Sequence, residues 1–434
     1  MMEMAGEGVA VFFALVVLYG AVAAWLGRFS ITMPVVFVLI GALFGPSGLV
    51  TTASAELLIE MTLALLLFAD ASTLAFRQVR DDPGPPARLL LIAMPLVVVL
   101  GGLAAYGLFP GEGPGFALLV AAILAPTDAA LGVPIMNNPR IPVRIRRALN
   151  VESGLNDGIA TPLVALFTAM AVAEEGHAAG GWLLSALGEI GIGLGAGVAI
   201  GLLGGWLFAT AVNRGWTSAT GEQIGNLALA LCAFWAAKAL GGNGFVAAFV
   251  GGLSFGHATR ERLHVATEFT ETAGTLLSLF VWVVFGANMV PPLVQSFNPL
   301  GLLYALLSLT LIRMIPVAIS LVGTHLRPDT TLIVGWFGPR GLASVVFLLI
   351  AFESFHEAGL SASLLAQTVG WTILLSVVLH GISAVPLANW YARRLETADP
   401  STPELVEVPE LGVRRWDPLA WLKHHRPGAE ETPL

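Results

Sequence analysis

The sequence predicts an all-α polytopic membrane protein with about thirteen transmembrane helices. Three observations lead there. Of its 434 residues, 56% are hydrophobic and 12% charged, and the mean hydropathy is +0.81. Soluble domains carry about 25% charged residues, so a chain this long and apolar is solvated mainly by lipid. Apolar runs of about 17–25 residues, the length that crosses a bilayer as helix, recur along nearly the whole chain. The basic residues gather in every second loop. The 49 glycines and 26 prolines also suit closely packed membrane helices. The formal charge of −8 is divided by membrane side and points to no nucleic-acid partner. Cys232 is the single cysteine, which excludes an intrachain disulfide, a thiol metal cluster and a redox pair. No cofactor is expected.

Taken in order, the segment before the first run holds Glu3 and Glu7 and no basic residue, the wrong sign for a cleavable signal. Spans are expected near 8–26, 31–50, 56–76, 89–109, 115–136, 149–173, 182–212, 223–240, 243–257, 272–290, 299–325, 331–352 and 363–391. Residues 395–434, polar and rich in Pro and Glu, read as a short tail with Trp416 and Trp421 at the interface.

The loops give the orientation. One set holds Arg28, Arg77, Arg80, Arg88, Arg140, Arg144, Arg146, Arg147, Arg214, Arg260, Arg262 and Arg327, and the tail adds Arg393, Arg394, Arg414, Arg415, Lys423 and Arg426. The other loops collect Glu112, Glu174, Glu175, Glu353 and Glu357. All but three of the 21 basic residues therefore share a side, and Lys238, Arg313 and Arg340 lie inside spans. This asymmetry predicts a multi-pass protein with its N-terminus outside and its C-terminus cytoplasmic.

Ionised groups inside spans cost about 2.5–3.5 kcal/mol each at the bilayer centre, which makes them functional candidates. In the fifth span, APTDAALGVP (125–134) places Thr127 and Asp128 beside Pro126, Gly132 and Pro134, which break a helix. Backbone freed at that depth must be buried or line a watery cavity. Carbonyls exposed beside a carboxylate suit a hard cation; a structural proline kink is the alternative. The sixth span opens with NVESGLNDGIATP (150–162). Glu152 and Asn156 are four apart, as are Ser153 and Asp157, so adjacent stripes of one helix gather two carboxylates, an amide and a hydroxyl. Burial raises a carboxylate's proton affinity and a bound cation lowers it, so proton and metal ion compete for the same oxygens. A polar helix end packed against its neighbours is the alternative here.

The twelfth span repeats the break in VGWFGPRGLASVV (334–346), with Arg340 inside it. Broken helices at matching places in two halves point to a transporter site between inverted repeats. Arg313, in the eleventh span, and Arg340 need partners if buried; Glu152 suits one of them, and spacing does not say which. Asp70 in the third span is a candidate for a negative funnel, or for an ordinary helix pair. Lys238 and Glu189 snorkel from helix ends. His257, His264 and His325 read as solvated loop-edge residues, and His380 as a packed histidine. The glycine ladder from Gly191 to Gly205 reads as helix packing or a dimer contact.

The PTD, VESGLNDG and GPRG segments, in that order and spacing, resemble the bacterial Na⁺/H⁺ antiporters of the monovalent cation:proton antiporter-1 family over roughly residues 8–394. The resemblance implies a sodium/proton antiporter fold with two crossed broken helices, in a bacterial inner membrane. It implies that Asp128 and Asp157 hold Na⁺ (or Li⁺) and exchange protons. Thr127, Ser153 and Glu152 would contribute to the site, Asn156 would steady the crossing, and Arg313 and Arg340 would form buried ion pairs. It further implies a homodimer, in which core helices near 89–173 and 299–391 move against scaffold helices near 8–76 and 182–290. Asparagine before Asp157 implies one-for-one, electroneutral exchange. Ala129 stands where many relatives carry proline, which implies a milder break in the fifth helix. The tail of about forty residues is too short for the large regulatory domain of animal exchangers.

A K⁺/H⁺ antiporter would use the same residues, since selectivity rests on cavity size and oxygen placement. A channel fits less well, lacking repeated filter residues. An intramembrane aspartyl protease using Asp128 and Asp157 lacks the expected Gly-x-Gly-Asp context. A membrane sensor would need no buried acids beside broken helices.

Overall fold

The structure, a computed structural model, describes residues 2–27, 31–45, 52–73, 84–176, 180–259, 264–399 and 401–406. Arg28, Arg77, Arg80, Arg260, Arg262 and the tail beyond 406, with Trp416 and Trp421, lie outside the described residues. Helix occupies every run predicted from the sequence. Among the described residues, six helices are long and apolar enough to cross a membrane by length and composition.

One group of helices comprises α1 (Met2–Gly27), α2 (Met33–Phe44), α3 (Thr52–Thr73), α8 (Trp182–Asn213), α9 (Ala219–Ala239), α10 (Gly244–Thr259) and α11 (His264–Asn288), packed mainly on one another. Phe12 and Tyr19 of α1 sit edge-on against Phe37 of α2, and Phe12 also meets Phe280 of α11. Helix α8 lies directly on α10, because a Cβ at Gly193, Gly197, Gly201 or Gly205 would strike Asn243, Ala247, Gly251 or Ala258. Within the glycine ladder these positions serve packing, whereas Gly191 and Gly195 face open space. Lys238, in the last turn of α9, pairs with Glu60 of α3 at 2.6 Å.

The second group starts with α4 (Gly84–Leu108), which contains a π turn at Leu89–Ala93. It continues with α5 (Gly113–Ile123), α6 (Ala129–Met136) and α7 (Val143–Glu175). A short α12 (Val290–Gln295) then leads to α13 (Pro299–Leu309), α14 (Leu311–Ser320), α15 (Pro328–Trp336), α16 (Leu342–Glu357) and α17 (Ser363–Glu396). Asn298 starts α13 by accepting from the amides of Leu300 and Gly301, the side-chain cap expected of asparagine. Each broken pair, α5–α6 and α15–α16, is followed by one long helix, of 33 residues in α7 and 34 in α17.

Two of the differences from the sequence reading bear on the placement of the site. Helix α7 starts at Val143 rather than 149, since no breaker follows Pro142 and arginine favours helix. Arg144, Arg146 and Arg147 therefore form its first turns, and Asp157 lies about four turns in rather than two. The eleventh run is not one helix: Thr310, at φ −115° and ψ −93°, separates α13 from α14.

Residues 401–406 are also part of the packed body. Glu404 is fully buried and accepts from the Arg327 amide at 2.7 Å and the Thr330 hydroxyl at 2.6 Å, while Arg144 donates to the Pro403 carbonyl. Beside it, the Arg327 guanidinium hydrogen-bonded to Asp329 holds that carboxyl below the usual carboxylate range. Arg88 donates to the carbonyls of Ser320 and Val322, neutralising the end of α14. Arg88, Arg144 and Arg327 thus share one end of the molecule.

Candidate functional site

The first break is made by its own sequence. Helix α5 stops at Ile123, and residues 124–128 are non-helical around Pro126, which lacks an amide donor. Asp128 restarts the chain as the N-cap of α6, its Oδ1 accepting from the Ala130 amide at 2.7 Å. The second break, residues 337–341, is of the same length. In the first, Pro126 removes a donor and the Asp128 cap stabilises the restart.

The two breaks cross. The Asp128 amide donates to the Pro339 carbonyl at 2.8 Å, and the Leu342 amide donates to Asp128 Oδ2 at 2.9 Å. One carboxylate thus caps both α6 and α16, at the positive ends of two helix dipoles. The approach requires glycine at 341, where a Cβ would overlap the Asp128 carboxyl, and at 338, where it would overlap the Arg313 guanidinium.

Helix α7 runs behind the crossing and divides its polar residues by stripe. Asn156 Nδ2 donates to Thr127 Oγ1 at 2.7 Å, and the hydroxyls of Thr127 and Ser153 are 3.1 Å apart. Glu152 faces α14 and takes two bonds from Arg313, at 2.6 and 2.9 Å, with both side chains 2% exposed. Gly158, one residue beyond Asp157, abuts the Phe249 ring of α10 and joins the two helix groups.

Asp128 and Asp157 both line a cavity of about 190 Å³. Asp70 of α3 lies in its wall, as do Glu271, Thr275 and Ser278 of α11. The cavity reaches the end of α1 and the start of α2, at Gly27 and Thr32. On the α5–α16 half of the crossing, Ile123, Val345 and Val346 are completely buried.

A family model described as the transmembrane sodium/hydrogen exchanger matches residues 11–390. This chain belongs to the sodium/hydrogen exchanger family. Among its curated relatives are a K(+)/H(+) antiporter, NhaP2, of Shewanella sp. (strain ANA-3), 26% identical over 87% of this chain and 66% of the relative, and the Na(+)/H(+) antiporter ApNhaP of Aphanothece halophytica, 26% identical over 76% of this chain and 64% of the relative. The chain thus spans slightly less than two thirds of the length of these relatives. Its fold is similar to that of the sodium proton antiporter MjNhaP1 from Methanocaldococcus jannaschii, with a TM-score of 0.67 at 20% identity, covering 86% of this chain and 98% of the other. The chain is a multi-pass membrane protein with the sodium/proton antiporter fold.

Within this exchanger fold, two expectations about side chains change. Arg340 is completely buried and, among the described residues, makes no ion pair. Its Nη1 donates to the carbonyls of Ala125 and Pro126, both at 3.4 Å, and of Gly338 at 3.1 Å, while Nε and Nη2 have no protein partner. Glu152 is engaged by Arg313, and the carbonyls freed where α5 stops give one edge of the Arg340 guanidinium its acceptors. The second change is an omission. Glu271, Thr275 and Ser278 have no place in the sequence reading yet line the cavity, on a helix that starts at His264 rather than 272. With Thr267 they stand at i, i+4, i+8 and i+11, a polar stripe that runs from the polar first half of the helix into its apolar second half.

Proposed function

We propose that this chain is a secondary active transporter exchanging Na⁺ (or Li⁺) for protons by alternating access. The observation that carries the reading is the crossing of the two breaks, which holds the Asp128 carboxylate at the wall of a cavity that Asp157 also lines. Carboxylate, hydroxyl and carbonyl oxygens suit a hard monovalent ion. Asp128 and Asp157 would hold the ion and exchange protons, with Thr127 and Ser153 contributing oxygens. Asn156 would hold the first break on α7, and the Glu152–Arg313 pair would fix α7 to α14. Because proton and cation compete for the same carboxylates, each excludes the other, and moving the occupied site across couples the two fluxes. Asn156 beside Asp157 leaves one titrating side chain there, in keeping with electroneutral one-for-one exchange.

The cavity has walls from both helix groups, so sliding one group against the other would close it and open the packed half formed by α5 and α16. With the basic loops cytoplasmic, the cavity opens inward, from a bacterial inner membrane. The broad apolar outer faces of α1 and α8, including Val17, Leu18, Leu184 and Leu203, suit lipid and, in a homodimer, a second copy.

The test is transport by the purified chain in liposomes containing a pH-sensitive dye. Na⁺ or Li⁺ gradients should drive proton movement with or without a clamped potential, and Asp157→Asn should abolish it. The Shewanella relative's name favours a second reading, K⁺/H⁺ exchange at the same site; a response to K⁺ alone would establish it. No response to any cation would sink both.

A further inference from the structure

In an unbroken helix the Arg340 amide would donate to the carbonyl of Trp336, four residues earlier. The twelfth-run break removes that bond: the Arg340 amide stays buried, where an unsatisfied donor is costly, while the Trp336 carbonyl is half-buried and accepts from the Gly338 amide at 2.8 Å with a lone pair to spare. The first break fills its own missing rung with backbone, since the Asp128 amide takes the Pro339 carbonyl. The second break is filled differently. The Arg340 amide donates to Ser376 Oγ at 2.6 Å, and Nε2 of His380 lies 2.8 Å from the Trp336 carbonyl. Ser376 and His380 are one turn apart on α17, and Ser376 Oγ is 3.3 Å from His380 Nδ1. All are buried: Arg340 and Ser376 completely, His380 to 1% exposure. The Trp336 indole is stacked on the imidazole at 5.0 Å and 29°, which fixes the ring plane.

Donor and acceptor roles follow from the fixed groups. An amide can only donate and a carbonyl only accept. The Arg340 N–H therefore uses a lone pair of Ser376. Nδ1 also lies 2.9 Å from the Ser376 carbonyl of its own helix, so one ring proton serves either that carbonyl or the Trp336 carbonyl. The splint is made by the tautomer with the proton on Nε2, in which the Ser376 O–H meets Nδ1.

We infer that Ser376 and His380 form a side-chain splint that replaces the lost 340-to-336 hydrogen bond and so positions the crossing around Asp128. The splint holds the residues on either side of Pro339, whose carbonyl receives the Asp128 amide, and just before Leu342, whose amide binds Asp128 Oδ2. Neither side chain lines the cavity. They are positioning residues, acting on the ion through the angle of the break.

The inference rests on the exchange reading for its transport readout, so a second readout is independent of transport. Wild type, His380→Ala, His380→Gln, Ser376→Ala and the double alanine variant would be compared in liposomes under Na⁺ gradients. Each alanine variant should raise the apparent KM for Na⁺ about tenfold, the worth of one buried hydrogen bond, while kcat changes less than about threefold. The double variant should be no worse than the poorer single one, because the two residues act as one unit. Glutamine, which keeps a donor near the Nε2 position, should recover most of the affinity. Hydrogen exchange in a peptide covering 337–342 should show lost protection in the alanine variants. Unchanged KM in the alanine variants, multiplying effects in the double variant, or glutamine no better than alanine would overturn the splint, as would unchanged exchange protection. A wild type that moves no cation but loses protection at 337–342 on Ser376→Ala would defeat the exchange reading and leave the splint standing.

Discussion

The amide of Leu342 donates to Oδ2 of Asp128 at 2.9 Å, joining the first residue of α16 to the last residue of the other break. Through this bond and the Ala130 amide on Oδ1, one carboxylate terminates two helices that start on opposite sides of a crossing. Binding chemistry and helix architecture therefore meet in a single side chain.

Gly341→Ala places a methyl group inside the Asp128 carboxyl. Overpacking of this kind costs about 1–3 kcal/mol, and relief requires the breaks to separate. Exchange in liposomes should be lost and the thermal midpoint of the purified protein lowered. Transport at the wild-type rate would contradict the crossing.

Asp128→Asn and Asp157→Asn should both stop exchange but differ in stability. An asparagine at 128 offers one carbonyl oxygen for two amide donors, leaving one buried N–H facing an NH₂ group, at about 1–3 kcal/mol. Helix caps at 157 are not at stake. Thermal unfolding should therefore show a larger loss for Asp128→Asn than for Asp157→Asn, and the reverse order would refute the double cap.

Breaking the Glu152–Arg313 pair from one side leaves a charge with 2% exposure alone. Such truncations cost about 3–5 kcal/mol, whereas replacing both partners by apolar groups is often neutral. Glu152→Leu or Arg313→Met alone should severely lower stability, and the double variant should recover much of it. Additive losses in the double-mutant cycle would show that the two side chains act separately.

Glu271→Gln removes a charge from the cavity wall without touching the crossing. The negative potential that gathers cations should fall, raising the apparent KM for Na⁺ about two- to fivefold at low ionic strength. The effect should fade at high ionic strength as screening shortens the reach of the charge. An effect independent of ionic strength would instead mean that Glu271 contacts the ion.

Much of the site was legible in the sequence for a local reason. Pro126, Pro339 and their glycines break helices wherever they stand, and four-residue spacing groups Glu152 with Asn156 and Ser153 with Asp157 on any helix. Those inferences need only the chain's own backbone. The partner of Arg340 was not legible, because its acceptors are main-chain carbonyls, which every residue has. Glu271 lies within reach of a periodicity argument but outside the expected tenth span, which begins at 272 whereas the helix starts at His264. Ser376 and His380 gave no local signal, since a serine and a histidine one turn apart inside a helix have many ordinary uses.

The sequence by itself determined the helical membrane class, the positions of the runs, the two breaks and the acids nearest them, all consequences of hydropathy, periodicity and backbone chemistry along a short stretch. Only the tertiary structure decided that Glu152 goes to Arg313, that Arg340 closes the end of α5, and that Asp128 reaches across to Leu342. These pairings join residues more than 150 positions apart, and their distance and direction depend on how whole helices pack.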